Sequence, residues 1–226
     1  MKIGILQTGH APDELRPVLG DYADLFTALL AGQGFDFAVW NVVDGELPDD
    51  PRAADGWLIT GSKHGAYEDH PWIPPLEALI RDAYAAGVPL VGICFGHQII
   101  AQALGGRVIK FPGGWMVGRQ VYDWQGEAVP LNAWHQDQVV ARPEGAESIA
   151  ANAVCENAAL VYGRRAFTVQ AHPEFDARMI EGLIAHRGET VPDDLIAKAR
   201  DGLDQPVANA RLAGMIGRFF REGVAA

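Results

Sequence analysis

The chain holds only two cysteines, Cys94 and Cys155, in 226 residues. Two are too few for the disulfide framework of a small secreted domain, and a working thiol needs a reducing compartment. Lysine and arginine total 18 against 29 acidic residues, for a formal charge of −11. An acidic chain without a basic cluster argues against nucleic acid and anionic membranes as partners, and the excess charge serves solubility. No apolar run approaches a membrane span, and Met1–Leu6 is too short for a signal peptide. The expected location is therefore the cytoplasm. No internal repeat or low-complexity segment is found. What remains is ordinary: 49% hydrophobic and 21% charged residues, at a length that one domain with a sizeable core can use.

The chain is organised around residues 88–106, VPLVGICFGHQIIAQALGG. The apolar run Val88–Ile93 follows Gly87 and reads as a buried strand that ends abruptly. Beyond it Ile99, Ile100, Ala103 and Leu104 recur at helical spacing, and Gly105-Gly106 stops the helix. Cys94 thus sits between strand and helix in the pattern Gly-x-Cys-x-Gly, a nucleophile elbow with sulfur in place of oxygen. A sharp turn would hold the side chain proud of the sheet edge. The helix that follows would aim its free amides and positive dipole end at the sulfur, favouring thiolate over thiol. The plain alternative is a small apolar core residue, common for a free cysteine.

A partner base decides between these readings, and residues 168–174, TVQAHPE, supply one. Phe167–Gln170 reads as a strand with His172 just beyond its end. Pro173 stiffens the backbone, and Glu174 follows two residues after the histidine. A cysteine nucleophile needs a base, and the base needs a third group to hold its tautomer. Cys94, His172 and Glu174 are the candidates.

The two motifs GICFGHQ and QAHPE, in this order, resemble those of the class I (triad) glutamine amidotransferases, and the resemblance extends over roughly residues 1–185. It is nearest to stand-alone members like the glutaminase part of GMP synthases. It implies a flavodoxin-like α/β fold: an open, mostly parallel sheet with helices on both faces. The reaction it implies is hydrolysis of a γ-glutamyl amide through a thioester. Carried over residue by residue, Cys94 is the nucleophile, His172 the general base and acid, and Glu174 the orienter. The loop after the third strand, Thr60-Gly61-Ser62-Lys63-His64-Gly65, corresponds to the segment that gives one oxyanion-hole amide, at the Gly61/Ser62 turn. Phe95, next to the cysteine, gives the other. Each such donor is worth about 3 to 4 kcal/mol. Many relatives carry Gly-Gly-Pro or Asn-Gly-Pro here, so this chain departs from the pattern. Gln98 corresponds to a substrate-touching glutamine. Gln136 and Asp137, in Trp134-His135-Gln136-Asp137, correspond to a segment whose backbone holds the substrate's α-amino and α-carboxylate groups.

The other polar residues have blander readings. His64, Glu68, Asp69 and His70 share one loop but lack a repeated ligand spacing, so the expectation is a solvated loop with no metal. No cofactor is expected. His97 and His135 read as packed, hydrogen-bonded residues, and Cys155 as a packed or partly exposed thiol with no base nearby.

In order, Ile3–Leu6, Phe35–Trp40 and Trp57–Thr60 read as parallel strands, and Tyr22–Leu30 and Ile73–Tyr84 as helices. Residues 107–170 alternate short β-like pieces with turns and read as a small antiparallel addition. Two helical stripes follow, Leu195–Leu203 and Leu212–Phe220, with Pro192 and Pro206 at helix starts. The expectation is a single domain over 1–226 with a C-terminal helical extension from about 187. These helices cap the sheet or, alternatively, form a partner or homodimer surface. The substrate is a small molecule, glutamine or a γ-glutamyl compound. Three functions stay open: a glutaminase feeding ammonia to a separate synthetase, a stand-alone γ-glutamyl hydrolase or peptidase, and an idle binding module.

Overall fold

The computed structural model describes residues 1–225. Eleven strands and seven α-helices follow one another among the described residues. The first half holds β1 (Lys2–Leu6), α1 (Arg16–Leu19), α2 (Tyr22–Leu29), β2 (Asp36–Trp40), β3 (Gly56–Ile59), α3 (Ile73–Ala85), β4 (Leu90–Ile93) and α4 (Phe95–Ala103). Next come β5 (Arg107–Lys110), β6 (Met116–Trp124), β7 (Glu127–His135), β8 (Asp137–Ala141), β9 (Glu147–Ala150), β10 (Ala159–Tyr162) and β11 (Ala166–Val169). The chain closes with α5 (Ala177–Arg187), α6 (Asp193–Asp201) and α7 (Asn209–Glu222). No described helix is long and apolar enough to cross a membrane.

Seven strands form the main sheet in the order β2-β1-β3-β4-β11-β10-β9. The first five run parallel, which is the flavodoxin-like, doubly wound order. The inner strands β1, β3, β4 and β11 are buried almost throughout because both faces are covered, and successive side chains enter opposite cores. Ile3, Ile5, Leu58, Val91 and Ile93 pack towards Phe26 of α2, Leu30 at its C-cap, and Leu212, Ile216 and Phe219 of α7. Leu6, Trp57, Ile59 and Leu90 pack towards Leu76 and Ile80 of α3 and Ile99 and Ile100 of α4. The helical stripe of α7 is therefore a sheet-covering face.

The stretch 107–170 divides in a way its alternation does not reveal. Strands β10 and β9 extend the main sheet as an antiparallel edge. The others make two separate ribbons, β5 with β8 and β6 with β7. Helix α6 lies on β6 so closely that a Cβ on Gly118 would stand 2.7 Å from Ala199 Cα, and Gly118 has φ +69°. Pro192 caps α6 as the pattern predicts. Pro206 does not open a helix: α7 starts at Asn209 with Ala208 as its N-cap. The Pro206 carbonyl instead accepts from Arg119 Nε at 2.9 Å.

Candidate active site

Three neighbouring strands leave the sheet at one edge, and each carries part of the site. β4 pairs with β3 on one side (Ile59 opposite Gly92) and β11 on the other (Val169 opposite Ile93). The residues that follow them are Cys94, Thr60-Gly61-Ser62 and the approach to His172. The carboxyl edge of a parallel sheet is where such folds bind ligands.

The elbow is tied to both flanking strands. Cys94 N donates to Val169 O at 2.9 Å and Gly96 N to Thr60 O at 3.1 Å. Cys94 itself takes φ 54° and ψ −102°, a costly conformation for a residue with a side chain. Both flanking glycines are sterically required. A Cβ on Gly92 would stand 2.4 Å from Gly96 O, and one on Gly96 would stand 2.2 Å from Ile59 O. Cys94 is the N-cap of α4, so it sits at the positive end of that helix.

His172 is held from three directions. Its amide donates to Asn132 O at 2.8 Å. Its ring stacks on Phe175, with centroids 3.9 Å apart and planes within 2°. Nδ1 lies 2.7 Å from Glu174 Oε1. A carboxylate can only accept, so Nδ1 carries the proton and Nε2 remains for the cysteine. Burial alone disfavours the imidazolium. The Glu174 carboxylate and the nearby Cys94 side chain outweigh it and push the His172 pKa up to about 10. The arrangement holds an imidazolium between a sulfur and a carboxylate, in a buried place.

These groups open into a cavity of about 340 Å3. Cys94, His172, Ser62, Gln98, Gln136 and Asp137 line it. Three of the sequence candidates do not. Glu174 lies buried behind His172, the fully buried Phe95 side chain packs on Trp72 with ring centroids 5.5 Å apart, and Gly61 backs onto the His172 ring. Phe95 and Gly61 are offered for their backbone, so a buried side chain is compatible with the part expected of them. Gln98 is already engaged: its Nε2 donates to Asp137 O at 2.9 Å and to Gln170 Oε1 at 3.2 Å. It thereby moors the 135–138 turn to α4. Asp137 accepts from the Tyr67 hydroxyl at 3.0 Å, and burial pushes its carboxyl upward.

The remaining histidines and the second thiol fit their plainer readings. His97 is fully buried, with Nδ1 2.8 Å from Thr168 Oγ1. Burial, with the charge of His172 beside it, pushes His135 down to about 3. Its Nδ1 donates to Asp137 O at 3.1 Å, which leaves Nε2 a buried acceptor with no partner on the cavity wall. Cys155 is buried and its thiol is pushed up to about 12.

Several cavity residues carried no signal in the motifs. Tyr22, Trp115, Trp134 and Arg187 come from α2, the Gly113-Gly114 turn, β7 and the end of α5. Tyr22 belongs to the helical stripe of α2, and only its place at the helix start beside the cavity sets it apart. The loop 61–72 also brings His64, Glu68 and His70 together, with donor atoms all within 4.8 Å of one another.

A cysteine at a strand-to-helix elbow, with a buried His–Glu pair just beyond the end of the adjacent strand, stands at the carboxyl edge of a flavodoxin-like sheet. The chain belongs to the class I glutamine amidotransferase family, whose model matches residues 44–185, more than half its length. It is 33% identical to a glutamine amidotransferase-like protein of Schizosaccharomyces pombe, covering 97% of this chain and 98% of that one. It is also 33% identical to gamma-glutamyl peptidase 4 of Arabidopsis thaliana, over 73% of this chain and 72% of that protein. Among solved structures, a glutamine amidotransferase from Methylobacillus flagellatus superposes with a TM-score of 0.80 at 27% identity, covering 99% of this chain and 95% of the other.

Proposed function

We propose that this protein hydrolyses γ-glutamyl amide bonds through a thioester on Cys94. The observation that carries the reading is the Cys94–His172–Glu174 arrangement: a strained elbow cysteine beside a buried imidazole whose Nδ1 is hydrogen-bonded to a buried carboxylate at 2.7 Å. The thiolate attacks the γ-carbonyl carbon. The amides of Phe95 and the Gly61/Ser62 turn receive the developing oxyanion. As the carbon–nitrogen bond breaks, His172 gives its proton to the departing amine. It then takes a proton from water, which attacks the thioester, releases glutamate and regenerates the thiolate. Glu174 keeps the ring in the productive tautomer throughout. Gln98, Gln136 and Asp137 form the wall against which the glutamyl α-amino and α-carboxylate groups lie. In this reading the chain acts as one unit, with α6 and α7 braced against β6 and the sheet.

The departing amine is larger than ammonia in the reading we favour. The cavity is of a size that encloses ligands larger than one amino acid. Trp115, Trp134, Leu183 and Arg187 line it in addition to the triad and the Gln136–Asp137 turn. Those apolar walls suit the body of a γ-glutamyl peptide or conjugate, and the Arg187 guanidinium suits a carboxylate on it. Family membership favours a second reading, in which the substrate is glutamine and the ammonia passes to a separate synthetase.

Glutamate release from glutamine and from a set of γ-glutamyl peptides, each against a Cys94→Ala control, separates the two. Fast peptide cleavage with slow glutamine turnover supports the peptidase reading. The reverse preference supports the glutaminase. Turnover by Cys94→Ala equal to wild type would rule out the thioester route altogether.

A further inference from the structure

We propose that His64, Glu68 and His70 form a binding site for a divalent transition-metal ion of the zinc type on the wall of the cavity. His70 Nε2 stands 2.8 Å and His64 Nδ1 3.4 Å from the same oxygen, Glu68 Oε2. The three donor atoms all lie within 4.8 Å of one another. Tetrahedral ligands on zinc, at bond lengths near 2.1 Å, are separated by about 3.4 Å. The His64–Glu68 separation equals that value and the His70–Glu68 separation is shorter, so rotation of the side chains would open the three donors around an ion. Two imidazole nitrogens and one carboxylate oxygen suit zinc, cobalt or nickel better than calcium or magnesium, which prefer oxygen alone.

The donors converge because the loop is built tightly, not because long side chains happen to meet. Glu68 N donates to Gly65 O at 3.0 Å and His70 N to Glu68 O at 3.1 Å, which turns both side chains to one side. His64 N donates to Ser62 Oγ at 3.2 Å. The two imidazole rings are only 4.2 Å apart, centroid to centroid. His70 stacks on Trp72, with planes within 10°, and Trp72 packs on Phe95 beside the nucleophile. The ring is thus held in place by packing before any ion arrives. All three ligands are partly exposed, so an ion can reach them.

His64 and Glu68 both line the cavity. Three protein ligands leave one tetrahedral position open, and it is available to water or to a group of the molecule in the cavity. The ion would also clamp the loop that begins at Gly61 and Ser62, and with it one face of His172.

The site is tested by titrating Co2+ into the Cys94→Ala chain near pH 7.5, so that the elbow thiolate cannot be the ligand. The expected result is a visible absorption band that saturates at one ion per chain and disappears on adding Zn2+. His64→Ala and His70→Ala should each weaken binding tenfold or more. Thermal melting should rise with Zn2+ in the Cys94→Ala chain and not in those variants. Glu68→Gln keeps the shape and is the check on folding: it should melt normally without metal and bind weakly. No band or heat of binding up to millimolar metal would overturn the proposal. So would binding that survives unchanged in both histidine variants.

Discussion

Gly61 backs directly onto the imidazole of His172. A Cβ built on Gly61 would stand 2.9 Å from His172 Cε1 and 3.7 Å from Cys94 Cβ. The space between the third-strand loop and the two reacting side chains is therefore filled by the absence of a side chain. Gly61→Ala should displace the ring by several tenths of an ångström, in a site where the ring's place sets the proton path. Misplacement on the ångström scale costs about 100-fold in rate. The expected outcome is a fall in kcat of that order with a smaller change in KM, read by steady-state kinetics on the preferred γ-glutamyl substrate. Unchanged kcat would mean that the ring is free to move aside at no cost.

The elbow's second glycine makes a stability prediction. Gly96→Ala drives a methyl to 2.2 Å from the carbonyl oxygen of Ile59 and 3.0 Å from its Cβ, in the middle of the β3–α4 contact. Neither the backbone oxygen nor the helix can rotate away. Overpacking of this kind costs about 1 to 3 kcal/mol, and the Gly96–Thr60 hydrogen bond is strained with it. Urea unfolding should show a lower midpoint with the m-value preserved. Activity per folded molecule should fall as well, because the helix that carries Phe95 moves.

The pH dependence follows from the His172–Glu174 pair. The pKa of His172 is raised from 6.5 to about 10 because Glu174 and Cys94 outweigh its burial. A raised value means that the folded state holds the proton more tightly than the unfolded chain. The stability this contributes is complete below about pH 6.5 and is lost as pH climbs towards 10. Glu174→Gln removes the carboxylate, so the alkaline limb of kcat/KM should move to lower pH. The alkaline loss of stability should also become shallower over the same window. Activity should drop less than in His172→Ala, since an orienting group is the more dispensable. A Glu174→Gln profile that overlays wild type would remove Glu174 from its assigned part.

How much of this was legible in the chain depends on the range of the interaction. Gly92, Cys94 and Gly96 could be read because their contacts, to each other and to the two flanking strands, follow from what an elbow must do. The stripes of α3 and α7 could be read because a helix repeats its buried face locally. By contrast, the alternation of Glu147–Ala150 and Ala159–Tyr162 says that one face is covered but names no neighbour, so their joining of the main sheet was not visible. Tyr22, Trp115 and Arg187 meet only across the sheet edge, and no spacing announces it. His64, Glu68 and His70 have no repeated spacing in the chain, and it is the tight turns of the loop that bring their donor atoms within 4.8 Å of one another.

The last prediction concerns the elbow's own strain. Cys94 occupies φ 54° and ψ −102° with a Cβ attached, a conformation glycine adopts freely and other residues hold at about 1 to 3 kcal/mol. The surrounding hydrogen bonds, Cys94 N to Val169 O and Gly96 N to Thr60 O, hold it there. The strain aims the sulfur at His172, and the rest of the fold compensates for it. Replacing the side chain should then uncouple activity from stability. Cys94→Ala and Cys94→Gly should both be inactive. Cys94→Ala keeps the Cβ and so the strain, whereas Cys94→Gly releases it. Cys94→Gly should accordingly be the more stable of the two by about 1 kcal/mol in urea unfolding, even though glycine in an unstrained place destabilises. If Cys94→Gly proves the weaker protein, the turn is not strained, and the sulfur owes its position to packing alone.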